Sequence, residues 1–554
     1  MRKIRISVVS VEDGVENLGF RHISAFIRSK CENTRAYYIS TGNWRSLRKL
    51  LFGTGRPRLL DDDIRQAATD LADTDILAIS AMTPYSDDAK RLIDAVRKLN
   101  PGIYVIWGGI HAIMEPEDAI LHADAVCTGE GEFAFELFYD AYVNGRDYTG
   151  TPGFWFRTEA GIIKNKNLPL MTQDEMDTLP PPMFYDGEFF LESGKGFRPL
   201  TFKDSVAFAG LAYNTVWTIG CPFKCTFCGN TKFIEYDHNY RKLRHPSVGY
   251  IIEEIKRAVA KCPHIKNIVF SDDSFLALKL DVLKEFATAY KKEIGLPFTV
   301  PGVIPNYVRD DKVAVLVDAG MVRVRMGIQS GSERMLEFYD RPTPLPKIRD
   351  ALNILKEYTP AMIPPAFDLI LDNPIETQAD TLASLDLVYD MPRPYTLNLY
   401  SLRLIPNTEL TRRFGELGVA TPSIKSNVFP TRPTLGNVLV HLLPVWKIPE
   451  AIYRRLRPKV LPSHVEQPLY PVLYILARAL FLSTRAFNHL RFMDFTILTG
   501  PVGYWMWKLG IIDFWTRFYV EKQRERNRGR LRLARRTRSE MPAHLQSSAA
   551  PDRL

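Results

Sequence analysis

Cys221-Pro222-Phe223-Lys224-Cys225-Thr226-Phe227-Cys228-Gly229-Asn230 places three thiols in one short loop. The loop directly follows an extended, β-rich run, Asn214-Thr215-Val216-Trp217-Thr218-Ile219. Thiolates presented together from a strand end can converge on one metal centre, and soft sulfur selects zinc, Cu(I) or iron–sulfur clusters. A structural zinc site takes four donors and an ordinary [4Fe–4S] cluster takes four cysteines. No fourth cysteine lies nearby, since the next, Cys262, follows an expected helix. Three ligands at this spacing point to a [4Fe–4S] cluster with one iron open to a substrate or cofactor. The alternative is three buried structural cysteines, or a zinc knuckle completed by a distant histidine such as His238.

Read as Gly220 to Cys228, with Phe227 before the last cysteine, the loop resembles the CxxxCxxC cluster loop of the radical SAM enzymes. The resemblance implies that Cys221, Cys225 and Cys228 hold the cluster and that its open iron chelates S-adenosylmethionine. Reductive cleavage to a 5′-deoxyadenosyl radical is the chemistry it implies.

The rest of the chain has to house that centre. At 554 residues it exceeds one core, and about 150 residues per domain suggests three or four units. A composition of 46% hydrophobic and 24% charged residues is globular. The net charge of +9 is largely local: Lys522, Arg524, Arg526, Arg528, Arg530, Arg532, Arg535, Arg536 and Arg538 face only Glu521 and Glu525. The body is near balance, so no nucleic-acid partner is indicated. Six cysteines in so long a chain make no disulfide framework, and clustered thiols indicate a reducing, cytoplasmic setting. The N-terminus enters a strand pattern at once, with no apolar signal-peptide core.

Residues 1–150 alternate apolar strands (4–11, 36–40, 75–80, 104–107, 123–127) with helix-period segments (23–27, 64–71, 89–99). This predicts an α/β unit, an open parallel sheet with helices on both faces that binds ligands beyond the carboxyl ends of its strands. The run from Ile76-Leu77-Ala78-Ile79-Ser80 through Trp107-Gly108-Gly109-Ile110-His111 to Gly129-Glu130-Gly131-Glu132 resembles the cobalamin-binding domain found ahead of many radical SAM cores. In such domains small residues after the third and fourth strands leave room for the nucleotide tail of base-off cobalamin. Ser80, Thr83, Gly108 and Gly109 match those places, and Gly129 and Glu130 match a turn near the corrin. The Asp-x-His-x-x-Gly loop that ligates cobalt from below is missing, because His22 lacks both the Asp and the Gly. The resemblance implies a base-off, His-off corrinoid. The alternative is a domain that kept the fold and lost the cofactor. No GxGxxG follows the first strand, which disfavours a generic diphosphate-binding sheet.

Residues 151–210, with Leu179-Pro180-Pro181-Pro182-Met183, read as an extended linker. The aromatics Phe184-Tyr185 and Phe189-Phe190 are expected to pack on a neighbouring domain.

Residues 211–420 return to strand–helix alternation, and with the strand before the cluster loop they make six parallel βα units, a partial (β/α)6 barrel. Catalytic groups are expected at the C-terminal strand ends. By resemblance, Asp272 and Asp273 stand where radical SAM enzymes meet the SAM amino group. Gln329 and Ser330 stand in a turn that touches its ribose or carboxylate, with Gln329 replacing the usual acid. Arg341 follows as a carboxylate partner. Asp372-Asn373 replaces a glycine in the turn near the adenine. For each, an N-cap or a solvated carboxylate is the alternative.

Residues 421–554 read as a helical region. Its apolar stretches (470–482 and 492–515) are interrupted by Arg478 and by Gly500-Pro501, short of the roughly twenty residues a spanning helix needs. Trp505, Trp507 and Trp515 ahead of the arginine-rich run resemble an in-plane membrane-surface anchor. A helical cap on the barrel mouth with a solvated tail is the alternative.

Together these readings give a cobalamin-dependent radical SAM enzyme that methylates an unactivated carbon. A lipid or isoprenoid-like substrate becomes attractive if the anchor reading holds. The implied partners are a small-molecule or lipid substrate, an electron donor such as flavodoxin or ferredoxin, and peripheral contact with the inner face of the membrane. A radical cyclase, oxidase or C–C coupling enzyme of the same architecture is the alternative within the superfamily. A metal-binding or membrane-scaffold protein is the alternative outside it. A methylthiotransferase is disfavoured, because Cys31 and Cys127 are too isolated to hold a second cluster.

Overall fold

The structure is a computed structural model that describes residues 4–40, 59–182, 185–359, 361–420, 431–465, 470–491 and 500–514, and also residues 517, 518, 522 and 529. It holds two sheets, both mainly built of parallel strands.

The first sheet has nine strands in the order β7-β6-β5-β4-β3-β1-β2-β8-β9. Its centre is β1 (Ile6–Glu12), β2 (Thr34–Ser40), β3 (Ile76–Ala81), β4 (Tyr104–Gly108) and β5 (Ala125–Cys127), all parallel. These strands are buried on both faces, which is why they read as continuous apolar runs. One face packs against the helices Asp61–Leu71 and Ser86–Leu99, and the other against Leu18–Lys30 and Glu132–Val143.

The rims come from the stretch read as a linker. β6 (Phe154–Thr158) and β7 (Gly161–Lys164) form an antiparallel hairpin beside β5. β8 (Glu188–Glu192) pairs parallel to β2 and antiparallel to β9 (Gly196–Pro199). The prolines at 180–182 shaped the linker expectation, yet only the segment around them is irregular. Phe189 stacks on Tyr37 with ring centroids 5.2 Å apart, so the aromatics are sheet residues. Met183 and Phe184 lie outside the described residues.

The second sheet is β10 (Ala212–Thr215), β11 (Asn267–Phe270), β12 (Phe298–Val303), β13 (Met321–Gln329), β14 (Ala366–Leu371) and β15 (Thr396–Ser401), all parallel and in chain order. Outward residues such as Val324, Met326, Phe367 and Leu369 join one core with the helices Val248–Lys261, Leu280–Glu293 and Leu345–Glu357. The strand before the thiols is shorter than the sequence suggests. It ends at Thr215, and only Ile219 regains a bridge, to Arg244.

Trp217 anchors this connection. It is fully buried, stacks on Phe286 at 4.8 Å, and its indole N–H donates to the Pro246 carbonyl at 3.0 Å. We expect Trp217→Ala to lower unfolding stability by about 3–5 kcal/mol, read in a denaturant melt. A loss under about 1 kcal/mol would show that the connection is not held by this side chain.

Candidate functional site

The thiols are positioned by backbone. Gly220 sits at φ +107°, and a Cβ there would come within 2.7 Å of the Lys242 and Tyr240 carbonyl oxygens, so only glycine fits. The Cys221 N–H donates to the Tyr240 carbonyl at 3.2 Å, and the Thr226 N–H donates to that of Tyr339 at 2.9 Å. Asp272, at the end of β11, accepts the N–H groups of Trp217 at 3.3 Å and Thr218 at 2.5 Å. Its carboxylate therefore fixes the approach to the cysteines. Burial raises its pKa to about 7 against those hydrogen bonds. Gly302, at φ +73° in β12, packs so tightly on the Asp272 carbonyl that a Cβ would stand 2.0 Å from its oxygen. Asp273 accepts from Asn230 Nδ2 at 2.9 Å, and its pKa is raised by burial.

Cys221 and Cys225 are buried and Cys228 is half-buried. Burial pushes Cys221 up to about 11 and Cys228 up to about 12. Ligation must strip those protons, and positive charge beside the thiols eases that. Arg341 supplies it. Its Nη1 stands 3.5 Å from Cys225 Sγ, its Nη2 donates to the Gly327 carbonyl, and its guanidinium lies over the Phe223 ring at 5.7 Å. Its buried Nε has no partner. A leftover buried donor beside a thiol suits an anionic cluster or its carboxylate-bearing ligand. Among the described residues no three His, Cys, Asp or Glu groups come close enough to share a single ion.

Two other expected site residues are engaged elsewhere. Ser330 is buried, 3.2 Å from Ser384 Oγ on the helix Gln378–Asp390, and supports the turn. Gln329 has φ +76°, and its amide folds over Gly327. Asp372, at φ +61°, accepts from the Asn437 side chain at 2.8 Å and the Arg432 N–H at 2.9 Å, tying β14 to the C-terminal region.

A cavity of about 480 Å³ opens between the first sheet and the segments flanking the thiol loop. Ser80, Gly108, Gly109, Gly129 and Glu130 line it from the first sheet, and Ile219, Phe233 and Tyr240 line it from the second. Behind the glycines it continues as an apolar slot between Val8, Ala78, Ile106, Ile27, Phe135 and Phe154. A Cβ on Gly109 would lie 2.6 Å from Ser80 Oγ, so the narrowness of the entrance depends on small residues. A narrow apolar slot behind a small-residue mouth fits the flat base of a cobalamin tail. Thr83 does not line it, and its hydroxyl is buried without a partner. His22 lies in the second turn of Leu18–Lys30, away from the lining.

Sequence reading missed Glu12 and Glu132 in the lining, whose pKa values burial raises to about 8 and about 7. It also missed Arg244. Its Nη2 donates to Glu130 at 2.7 Å and its Nη1 to the Met171 carbonyl at 2.9 Å, while Glu130 accepts the Met171 N–H at 2.8 Å. No local pattern could have shown a pair 114 residues apart. Tyr236, donating to the Ile113 carbonyl at 3.1 Å, and Asn407, donating to that of Met114 at 2.7 Å, add two more ties between the sheets.

Residues 4–138 match the B12 binding domain and residues 215–388 match the radical SAM superfamily. An uncharacterized methyltransferase of Pyrococcus horikoshii is 28% identical over 291 residues, covering 52% of this chain and 58% of its own. An anaerobic magnesium-protoporphyrin IX monomethyl ester cyclase of Rubrivivax gelatinosus is 22% identical over 376 residues, covering 65% and 61%. The chain thus spans under two thirds of the length of either relative. Two solved structures share the fold. The radical S-adenosylmethionine methyltransferase TsrM from Kitasatospora setae, with cobalamin and a [4Fe–4S] cluster bound, has a TM-score of 0.57 at 16% identity over 75% of this chain and 78% of its own. The cobalamin-dependent S-adenosylmethionine radical enzyme OxsB has a TM-score of 0.59 at 14% identity, covering 100% and 82%. The chain thus carries a B12-binding domain ahead of a radical SAM domain.

Arg244→Ala removes charge-assisted bonds of about 1.5–3 kcal/mol each. We expect earlier thermal unfolding and faster protease cleavage between the two units. Unchanged cleavage would show that the pair does not hold them together.

Proposed function

We propose that the protein is a cobalamin-dependent radical SAM methyltransferase acting on an unactivated carbon of a small, largely apolar molecule. The carrying observation is the shared cavity, whose walls are the small-residue loops of the first sheet and the residues flanking the thiols. When bound, the cluster with S-adenosylmethionine supplies hydrogen abstraction and cobalamin supplies the methyl group. In this reading Cys221, Cys225 and Cys228 hold the cluster, and Arg341 offsets its charge. Asp272 keeps the thiol loop in place, with Asp273 beside it. Gln329 and Ser330 shape the turn over the nucleoside. Ser80, Gly108, Gly109 and Gly129 keep the corrin side open, Thr83 stands beside them outside the lining, and Glu130 holds that side against the second sheet. Phe233 and Tyr240 shield the space from water, so that the substrate meets both cofactors in a dry site. The division at about 150, 210 and 420 is kept as a proposal, with the rim strands 154–199 belonging structurally to the first sheet.

The cyclase relative keeps a second reading open, in which the same site closes a ring rather than adding a methyl group. Mass spectrometry of extracts from a deletion strain and its parent separates them: methylation shifts one product by a methylene, and ring closure changes hydrogen count only.

Cys225→Ala is expected to lower S-adenosylmethionine cleavage by at least a hundredfold in anaerobically reconstituted protein, with cobalamin absorbance retained. Gly108→Leu, at an extended backbone position, should do the reverse, weakening cobalamin retention at least tenfold while cleavage persists. Full cobalamin retention in the Gly108 variant would remove the corrin from this cavity.

Membrane contact also belongs to this reading. Among the described residues no helix is long and apolar enough to cross a membrane. Val472, Leu476, Leu480 and Phe487 are nevertheless exposed along one face of the helix Pro471–Arg491, and Val502, Trp505 and Leu509 are exposed on and just after Gly500–Lys508. Trp515 and the run Arg524–Arg538 lie outside the described residues. Phosphatidylglycerol vesicles should co-sediment the protein, and Leu476→Ser with Trp505→Ala should cut the bound fraction severalfold. Equal sedimentation of variant and parent would argue for a plain helical cap.

A further inference from the structure

The inner face of the second sheet carries charge that the chemistry at the thiols does not use. On β13, Val324, Met326 and Ile328 face the helices, which puts Arg323, Arg325 and Gly327 inside. Arg325 Nε grips both oxygens of Asp368 at 2.9 and 2.8 Å, and its Nη2 donates to the Tyr400 hydroxyl at 2.6 Å. Asn398 donates to the same carboxylate at 2.7 Å. Asp368 is therefore fully engaged.

Asn398 and Tyr400 also wall a second cavity, of about 200 Å³, between β15 and the helix Pro471–Arg491. Arg478 and Arg485 reach into it from that helix, beside Thr431 and His441. Among the described residues Arg485 makes no ion pair or hydrogen bond, and Arg478 donates only to the Tyr474 hydroxyl at 3.2 Å. His441 adds no further charge. Its Nδ1 donates to the Asn437 carbonyl at 2.7 Å, and burial holds it neutral, with a pKa of about 4. Burial, with the Arg323 and Arg325 charges nearby, lowers Arg485 to about 10, as expected of a guanidinium short of anions. Arg478 and Arg485 are half-buried beside a carboxylate that is already saturated, and an anion joining them would offset their mutual repulsion.

We propose that this cavity is an oxyanion subsite gripping the phosphate or carboxylate at one end of the substrate. This rests on the proposed function, in which the substrate meets both cofactors at the thiol end of the second sheet. The cavity is smaller than the roughly 300–1,000 Å³ of whole-ligand pockets, so it holds an end group. Arg325 lies one pleat repeat, about 7 Å, from Gly327, whose carbonyl receives Arg341 beside Cys225. Tyr400, which receives Arg325, lines the cavity, so the acidic end sits at the β15 side of the sheet and the reacting carbon several bonds away near the thiols. The substrate class is an amphiphile with an anionic terminus and an apolar body.

The test is calorimetric titration of the full chain with inorganic pyrophosphate, followed by competition with monomeric short-chain phosphatidylglycerol and with hexanoate. We expect saturable single-site binding. Arg485→Gln should weaken it at least tenfold and Arg485→Lys less, because lysine keeps the charge and loses the fork. Arg478→Gln gives an independent variant from the same wall, and thermal melts check that each is folded. Competition by the lipid identifies a lipid phosphate, competition by hexanoate a carboxylate, and competition by neither a soluble phosphate; each supports the subsite. Absence of saturable binding by all three probes, or unchanged affinity in both Gln variants, overturns it. Binding is read without turnover, so failure of the methylation reading would leave a positive result standing.

Discussion

Glu130 and Arg244 meet where two separately built sheets must keep one register. The glutamate belongs to the turn after β5, and the arginine is bridged through its backbone to Ile219, two residues before Cys221. This ion pair, seconded by Met171 and by the Tyr236 and Asn407 ties, helps set how far the glycine-lined mouth stands from the thiols. The gain from such a pair is modest when both partners see some water. Its value here is geometric, since a bidentate guanidinium accepts little rotation. Without that register the cavity between the sheets would lose its shape and its chemical purpose.

Buried charge is handled differently at each depth. Near the thiols a single arginine stands against several sulfurs, with aromatic rings closing the space around it. Along the inner wall of the barrel, Arg325, Asp368, Asn398 and Tyr400 form a closed network of hydrogen bonds. Carboxylates outside such networks, Glu12 and Glu132 (the latter held only by backbone N–H groups of its own turn), instead hold their protons to higher pH. Burial costs the charged form in every case, and the compensation differs with what is at hand.

The features legible in the sequence are those that local spacing encodes. The three cysteines lie within eight positions, and the five central strands of the first sheet and the five later strands of the second are apolar runs between helix-period segments. What stayed hidden was long-range or concealed by composition. The rim strands β6 to β9 are short, and β7 is exposed throughout, so they carry no strong alternation. Arg244 looked like one more surface arginine. Asp272 and Ser330 have partners no linear window shows, the first holding the backbone N–H groups ahead of the thiols and the second lying beside Ser384. Asp372 broke a glycine pattern because its carboxylate is needed by Asn437 and Arg432. A residue's neighbours across the fold, absent from any linear window, decide such cases.

The hairpin of β6 and β7 gives the first sheet an outer rim whose backbone joins Thr158 to Gly161 through a two-residue reversal. Gly161 takes φ +125° there with open space around it. Nothing in the cavity or between the sheets leans on that corner. It is the natural place to open the chain for a fluorophore or an affinity handle, leaving the cofactor chamber undisturbed.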